Sequence, residues 1–174
     1  HKGLSGQLVK DVKINNQQNW AKKHLATLAQ NYNRSEYYDW VRPIFELVLN
    51  KKWSYLLDLN LELIHNLQTL LHIDTPCLLS SELGVEGSQS GRLVNICQHL
   101  NATSYLSGNA AQDYLDMSQF KDKGIEVRWQ DYNHPIYPQH HGEFMPYLSI
   151  LDVLCHCGVA SKNLITMNRD KSSL

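Results

Sequence analysis

Apolar residues recur along this chain at two periods, and the change between them organises the fold. Over residues 53–71, Leu56, Leu59, Leu63, Leu67 and Leu70 step by three and four. That spacing lays one apolar stripe along a helix, the clearest predicted helix of the sequence. Trp20, His24, Leu25 and Leu28 mark an earlier helix face, with Asn15-Asn16 offering N-cap chemistry before it. Residues 36–49 predict another helix, which Pro43 should kink or restart. Residues 8–14 alternate weakly and predict a short strand.

From residue 77 onward short strands enter the pattern. Cys77-Leu78-Leu79-Ser80 predicts a buried strand, and the glycine- and serine-rich residues 82–91 predict a loop. Residues 92–100 predict a helix with Leu93, Ile96, Cys97 and Leu100 inward. Residues 103–106 predict a buried strand that turns into a helix at Tyr105-Leu106-Ser107-Gly108, and residues 113–120 a short helix. After Gly124, Ile125-Glu126-Val127-Arg128-Trp129 alternates cleanly as a strand. Residues 134–146 form a long loop bearing aromatics and prolines, Ser149 caps a last helix through Cys155, and a polar tail at residues 161–174 is expected to fray. Strand and helix alternating from residue 77 to 129 argue for an α/β fold with a mostly parallel sheet and flanking helices. The first seventy-odd residues add an N-terminal helical layer, giving a single α/β domain over residues 1–160.

Composition narrows the function. The chain has 174 residues, 43% of them hydrophobic and 19% charged, with a formal net charge of -1. Such a chain buries a real core, and nothing global draws it to nucleic acid or anionic lipid. No apolar run reaches the roughly 20 residues of a membrane span, and no signal-peptide pattern opens the sequence. Cys77, Cys97, Cys155 and Cys157 lie mostly in apolar runs, which suits reduced core thiols and a cytoplasmic location. The chain begins at His1, without a methionine.

Candidate chemistry gathers in the loops that follow predicted strands, where parallel sheets bind ligands. Ser107-Gly108-Asn109 is small enough for backbone amides to approach a ligand, although a strand-to-helix turn needing a glycine has the same sequence. Arg92 follows the glycine-rich loop at a helix start, where a cation is mildly unfavourable unless an anion or solvent receives it. Lys2, in its own glycine-serine loop, has the same two readings. Asp113 and Asp116 follow the Ser-Gly turn and are candidates for a catalytic or hydroxyl-binding role, or for complementing a helix N-terminus. Gln130 and Tyr132 lie in a polar exit loop with His134, a candidate general acid or base that is equally suited to bracing the loop. Cys155-His156-Cys157 and His140-His141 invite a zinc reading, yet Cys-x-Cys on a helix turns its thiols to different faces, so no metal site is expected. The sequence has no Walker loop, nucleophile elbow or dinucleotide fingerprint, and no cofactor is expected.

Several stretches in order resemble one family. They are Lys2-Gly3 with Gly6-Gln7 and Asp11-Val12, Trp20 with Lys23-His24, Asp58-Leu59-Asn60, and Arg92-Leu93-Val94 with Ile96-Cys97. Further on come Tyr105-Leu106-Ser107-Gly108 with Tyr114-Leu115-Asp116, Trp129-Gln130 with Tyr132, His134-Pro135 and Tyr137, and Leu148-Ser149-Ile150-Leu151-Asp152. In that order and spacing the chain resembles the WbqC-like protein family over all but its polar tail. The resemblance implies a bacterial cytoplasmic protein acting with enzymes of O-antigen or other surface-polysaccharide biosynthesis. It implies a transferase acting on a nucleotide-activated amino sugar, adding an amino-acid or acyl group. Family members open with a strand and a His-Gln-Pro segment running into Pro-Trp-x-Gly-Tyr, which this sequence lacks. It therefore resembles an N-terminally truncated member without the first strands of the family fold.

Two functions follow. In one, Arg92 holds phosphate, Ser107, Gly108, Asn109, Gln130 and Tyr132 contact a nucleotide sugar or activated acyl donor, Asp113 or Asp116 meets a sugar hydroxyl, and His134 moves the proton. In the other, the protein is a non-catalytic scaffold of a polysaccharide assembly complex, and Tyr132, Tyr137, Phe144 and Tyr147 face its partner.

Overall fold

The computed structural model describes residues 6–166, so Lys2 and the tail beyond residue 166 lie outside the described residues. The chain divides into two compact units, one formed by residues 6–74 with 134–166 and the other by residues 75–133.

The first unit is helical. Helix α1 (Trp20–Tyr32), α2 (Tyr38–Leu49) and α3 (Leu56–Leu70) are joined by α6 (Ile150–Cys157) and α7 (Ser161–Thr166). The apolar faces close two cores. Tyr38, Val41, Leu71, Leu151, Leu154 and Cys155 form one, and Val48, Leu49 and Leu59, flanked by Trp20, Leu25, Trp53 and Leu63, form the other. Of the leucine stripe of α3, Leu59 is buried and Leu63, Leu67 and Leu70 are half-buried, whereas Leu56, at the helix start, is exposed. His24 also lies exposed, on α1, edge-on to Trp20. Pro43 sits inside α2 on its exposed side, where the lost N–H costs one helical bond and the buried Val41 and Val48 hold the helix together. Residues 8–14 are no strand. They form a 3-10 turn (Val9–Asp11) and a single antiparallel bridge from Lys13 to Tyr55, because no neighbouring strand extends the pairing. Ser149 caps α6, its hydroxyl accepting from the Leu151 N–H. Ser161, read as the start of a frayed tail, opens α7 and is fully buried, donating to the Val153 carbonyl.

The second unit is a parallel βαβ. Helix α4 (Gln89–His99) precedes β1 (Ser104–Gly108); a 3-10 turn (Asn109–Asp113) and α5 (Met117–Lys121) then cross to β2 (Glu126–Gln130). The strands pair in register from Ser104 opposite Glu126 to Gly108 opposite Gln130. Val94, Cys97, Leu115, Phe120 and Ile125 form the core, against which Tyr105, Val127 and Trp129 pack. Three expectations change here. Residues 77–80 are irregular, with Leu78 exposed, since the sheet among the described residues has two strands and offers them no ladder. Both strands alternate between exposed and half-buried positions, so β1 is covered on one face and not buried. Leu100 points out at the end of α4, and Val94 takes the inward position instead.

Candidate functional site

Parallel pairing brings the carboxyl ends of β1 and β2 side by side. Gly108 and Gln130 are register partners, so Ser107, Gly108 and Asn109 lie beside Gln130 on one rim of the second unit. Gly108 has an ordinary extended backbone, φ -72° and ψ 154°, and an added Cβ meets nothing within 4 Å. The turn therefore does not require glycine for its dihedrals, contrary to the structural reading of that residue. Asn109 and Asp113 open and close the 3-10 turn and are both exposed, and Tyr114 beyond them is 73% exposed.

Arg92 and Asp116 are engaged with the chain itself. Arg92 stands in the first turn of α4, and its Nη1 and Nη2 donate to the carbonyls of Val85 (2.7 Å) and Ser80 (3.0 Å). It laces the preceding loop to the helix, with Asn95 adding a bond to the Glu86 carbonyl. Gly87 makes this close approach feasible. Its φ is +110°, and a Cβ there would stand 3.3 Å from the Arg92 backbone. Asp116 is the N-cap of α5, accepting from the Ser118 N–H and hydroxyl and from Gln119 Nε2. These hydrogen bonds hold its carboxyl below the ordinary carboxylate range. The buried Ser90 hydroxyl accepts from the Asp116 N–H, joining the first turns of α4 and α5. Tyr132 is exposed on the exit from β2.

His134 belongs to the first unit and sits in an aromatic cluster. Its half-buried ring lies 6.0 Å from Tyr137, 6.0 Å from Phe144 and 5.1 Å from Tyr147, and its Nδ1 is 2.9 Å from the Pro135 carbonyl. Of the aromatics expected at a partner surface, Tyr137 is buried and Phe144 half-buried, whereas Tyr132 and Tyr147 are exposed. A phenol whose hydroxyl finds a buried acceptor turns inward.

That acceptor is a residue the sequence reading left out of its site. Asp152, on the first turn of α6, is the only buried acid among the described residues. Its Oδ2 accepts from Tyr137 Oη and Gln139 Nε2, each at 2.9 Å. Gln139 in turn brackets Met145, donating to its carbonyl and accepting from its N–H. On its other side Oδ1 lies 3.6 Å from His156 Nδ1, which bonds the Asp152 carbonyl at 2.8 Å. The His140 N–H donates to His156 Nε2, so the proton of that buried ring resides on Nδ1. Burial first, then the Asp152 charge and hydrogen bond, raise the Tyr32 phenol to about 12. Tyr137 is likewise pushed well above its ordinary value by burial and by its bond to Asp152. The signal was present in sequence, since Asp152 interrupts the apolar run from Ile150 to Leu154. A buried carboxylate is costly unless several donors meet it, so such an interruption marks a built network.

All four cysteines are free; Cys97 and Cys155 are buried and Cys77 is exposed. Among the described residues no group of three or more His, Cys, Asp or Glu side chains is placed to hold a metal ion, and no helix is long and apolar enough to cross a membrane.

The model of the WbqC-like protein family matches residues 1–164. The chain belongs to the WbqC-like protein family. An uncharacterized protein of Mycobacterium tuberculosis is 32% identical over 169 residues, covering 94% of this chain and 71% of its own length. No solved structure matches the chain. The strand-end rim carries Ser107, Gly108, Asn109 and Gln130, and the braced aromatic loop carries His134.

Proposed function

We propose that this WbqC-like protein is a transferase acting on a nucleotide-activated amino sugar, adding an amino-acid or acyl group in surface-polysaccharide biosynthesis. Family membership points to that biosynthetic setting. The observation that carries the reading is the rim at the ends of β1 and β2, where the register sets Gly108 opposite Gln130. Loops leaving the carboxyl ends of parallel strands are where such sheets bind ligands. A glycine that the backbone does not demand leaves room for a ligand to approach the main chain of Ser107, Gly108 and Asn109. Gln130 and Tyr132 contact the donor, and Asp113 takes a sugar hydroxyl. Arg92 shapes the neighbouring loop, its guanidinium bonded to the Val85 and Ser80 carbonyls. Asp116 holds α5 in place.

Thermal melting with a panel of nucleotide sugars, acyl donors and ATP tests the proposal. A nucleotide sugar is expected to raise Tm, because binding to the folded state alone adds stability. A panel in which no nucleotide sugar moves Tm would remove the support for this reading.

A further inference from the structure

The loop of residues 134–147 carries more order than a connection needs. Tyr147 has φ +60°, a left-handed conformation that a bulky residue adopts at a cost of order 1–3 kcal/mol, and its side chain is nevertheless 74% exposed. Core packing does not explain that cost, since an exposed ring gains little from the core. What fixes the backbone is the Asp152 network. The buried carboxylate orients Gln139, and Gln139 holds both polar groups of the Met145 backbone, two residues before Tyr147. The same carboxylate holds Tyr137, whose ring lies 6.0 Å from His134 and 5.4 Å from Phe144. His134 then meets Tyr147 edge to face, 5.1 Å between centroids at 64°. The result is an exposed phenol ring set beside a half-buried imidazole, on a loop that a buried charge keeps in one shape.

From this arrangement we infer that Tyr147 and His134 form a sugar-ring subsite. The π-face of Tyr147 receives the C–H face of a pyranose, because the electron-rich face of an aromatic ring attracts the positive edge of aliphatic C–H groups. A tyrosine does this at low entropic cost, having few rotors to freeze. The imidazole beside it meets that ring edge to face and holds it in position. Strain and exposure together separate this ring from Tyr137, which is buried and satisfied within the fold. The inference rests on the sugar-transferase reading for its ligand class and on the aromatic loop alone for its location.

Saturation-transfer NMR on the full chain tests it, using methyl β-glucosaminide as the sugar probe, uridine as the base probe and UDP as a probe of the strand-end rim. The expected result is transfer to the glucosaminide that Tyr147→Phe retains. Tyr147→Gly should weaken it by about threefold to tenfold, the range of one aromatic contact. Glycine suits φ +60°, so Tyr147→Gly is expected to keep or raise Tm, which separates lost binding from lost folding. UDP binding should be unchanged in Tyr147→Gly and weakened in Gly108→Val. Equal glucosaminide transfer in wild type and Tyr147→Gly overturns the subsite, as does no glucosaminide transfer at all. Transfer to uridine in place of the sugar overturns the ligand class. Loss of UDP binding in wild type with the Tyr147-dependent sugar signal intact would contradict the nucleotide-sugar reading and leave the subsite standing.

Discussion

Asp152 shows how one side chain can order a long loop. Its carboxylate replaces lost water with Tyr137, Gln139 and Tyr32, and each partner loses an acceptor if it is removed. Asp152→Ala is expected to cost about 2–4 kcal/mol, since it strands buried donors, and Asp152→Asn about half as much, since it keeps one oxygen. Chemical denaturation of the two variants measures the difference. The same network gives an alkaline limit. Tyr32 rises from 10.0 to about 12 in the fold, and burial followed by the Asp152 charge lifts the Cys155 thiol from 9.0 to about 12. A folded-state pKa above the unfolded one means the protonated form is held by the fold. The stabilisation is therefore complete below pH 9 and is lost as pH climbs through 9.0 and 10.0 toward about 12. Melting curves should be flat from neutrality to pH 9 and fall beyond it, with a shallower fall in Tyr32→Phe.

At the scale of elements, most helices were legible and the short strands less so. The helix at Leu56–Leu70 and the Ser149 cap depend on local chemistry, and both stand where the sequence puts them, although Leu56 itself is exposed. Residues 8–14 and 77–80 depend on a neighbour to pair with, which no local pattern reveals, and neither forms a strand. Ser161 was read as a tail residue because it is polar; its buried bond to the Val153 carbonyl is a tertiary fact. Gly158, after α6, makes a similar long-range demand. A Cβ there would stand 2.3 Å from the Tyr37 ring, at φ +52°. Gly158→Ala is expected to destabilise the first unit by roughly 2–4 kcal/mol through overlap and backbone strain, read as a fall in Tm.

For the whole molecule, Ser107, Gly108 and Gln130, expected in the loops after the strands, are the last residues of β1 and β2, with Asn109 just beyond, and the parallel register makes neighbours of Gly108 and Gln130. The sequence did not show that Arg92 and Asp116 spend their polar groups on the loop before α4 and the start of α5, since such partners are backbone atoms without a residue signature. It also missed Asp152, whose partners lie thirteen and fifteen residues before it in the exit loop. The strand-end rim is the proposed site for a nucleotide sugar, and calorimetric titration of wild type and Gly108→Val tests that assignment. A Cβ added at Gly108 meets nothing within 4 Å and the backbone there is ordinary and exposed, so the variant should melt within about 0.5 kcal/mol of wild type. A nucleotide sugar that binds wild type and binds Gly108→Val at least about tenfold more weakly, about 1.4 kcal/mol, is the predicted result. Equal affinity in the two proteins would rule out binding at the rim.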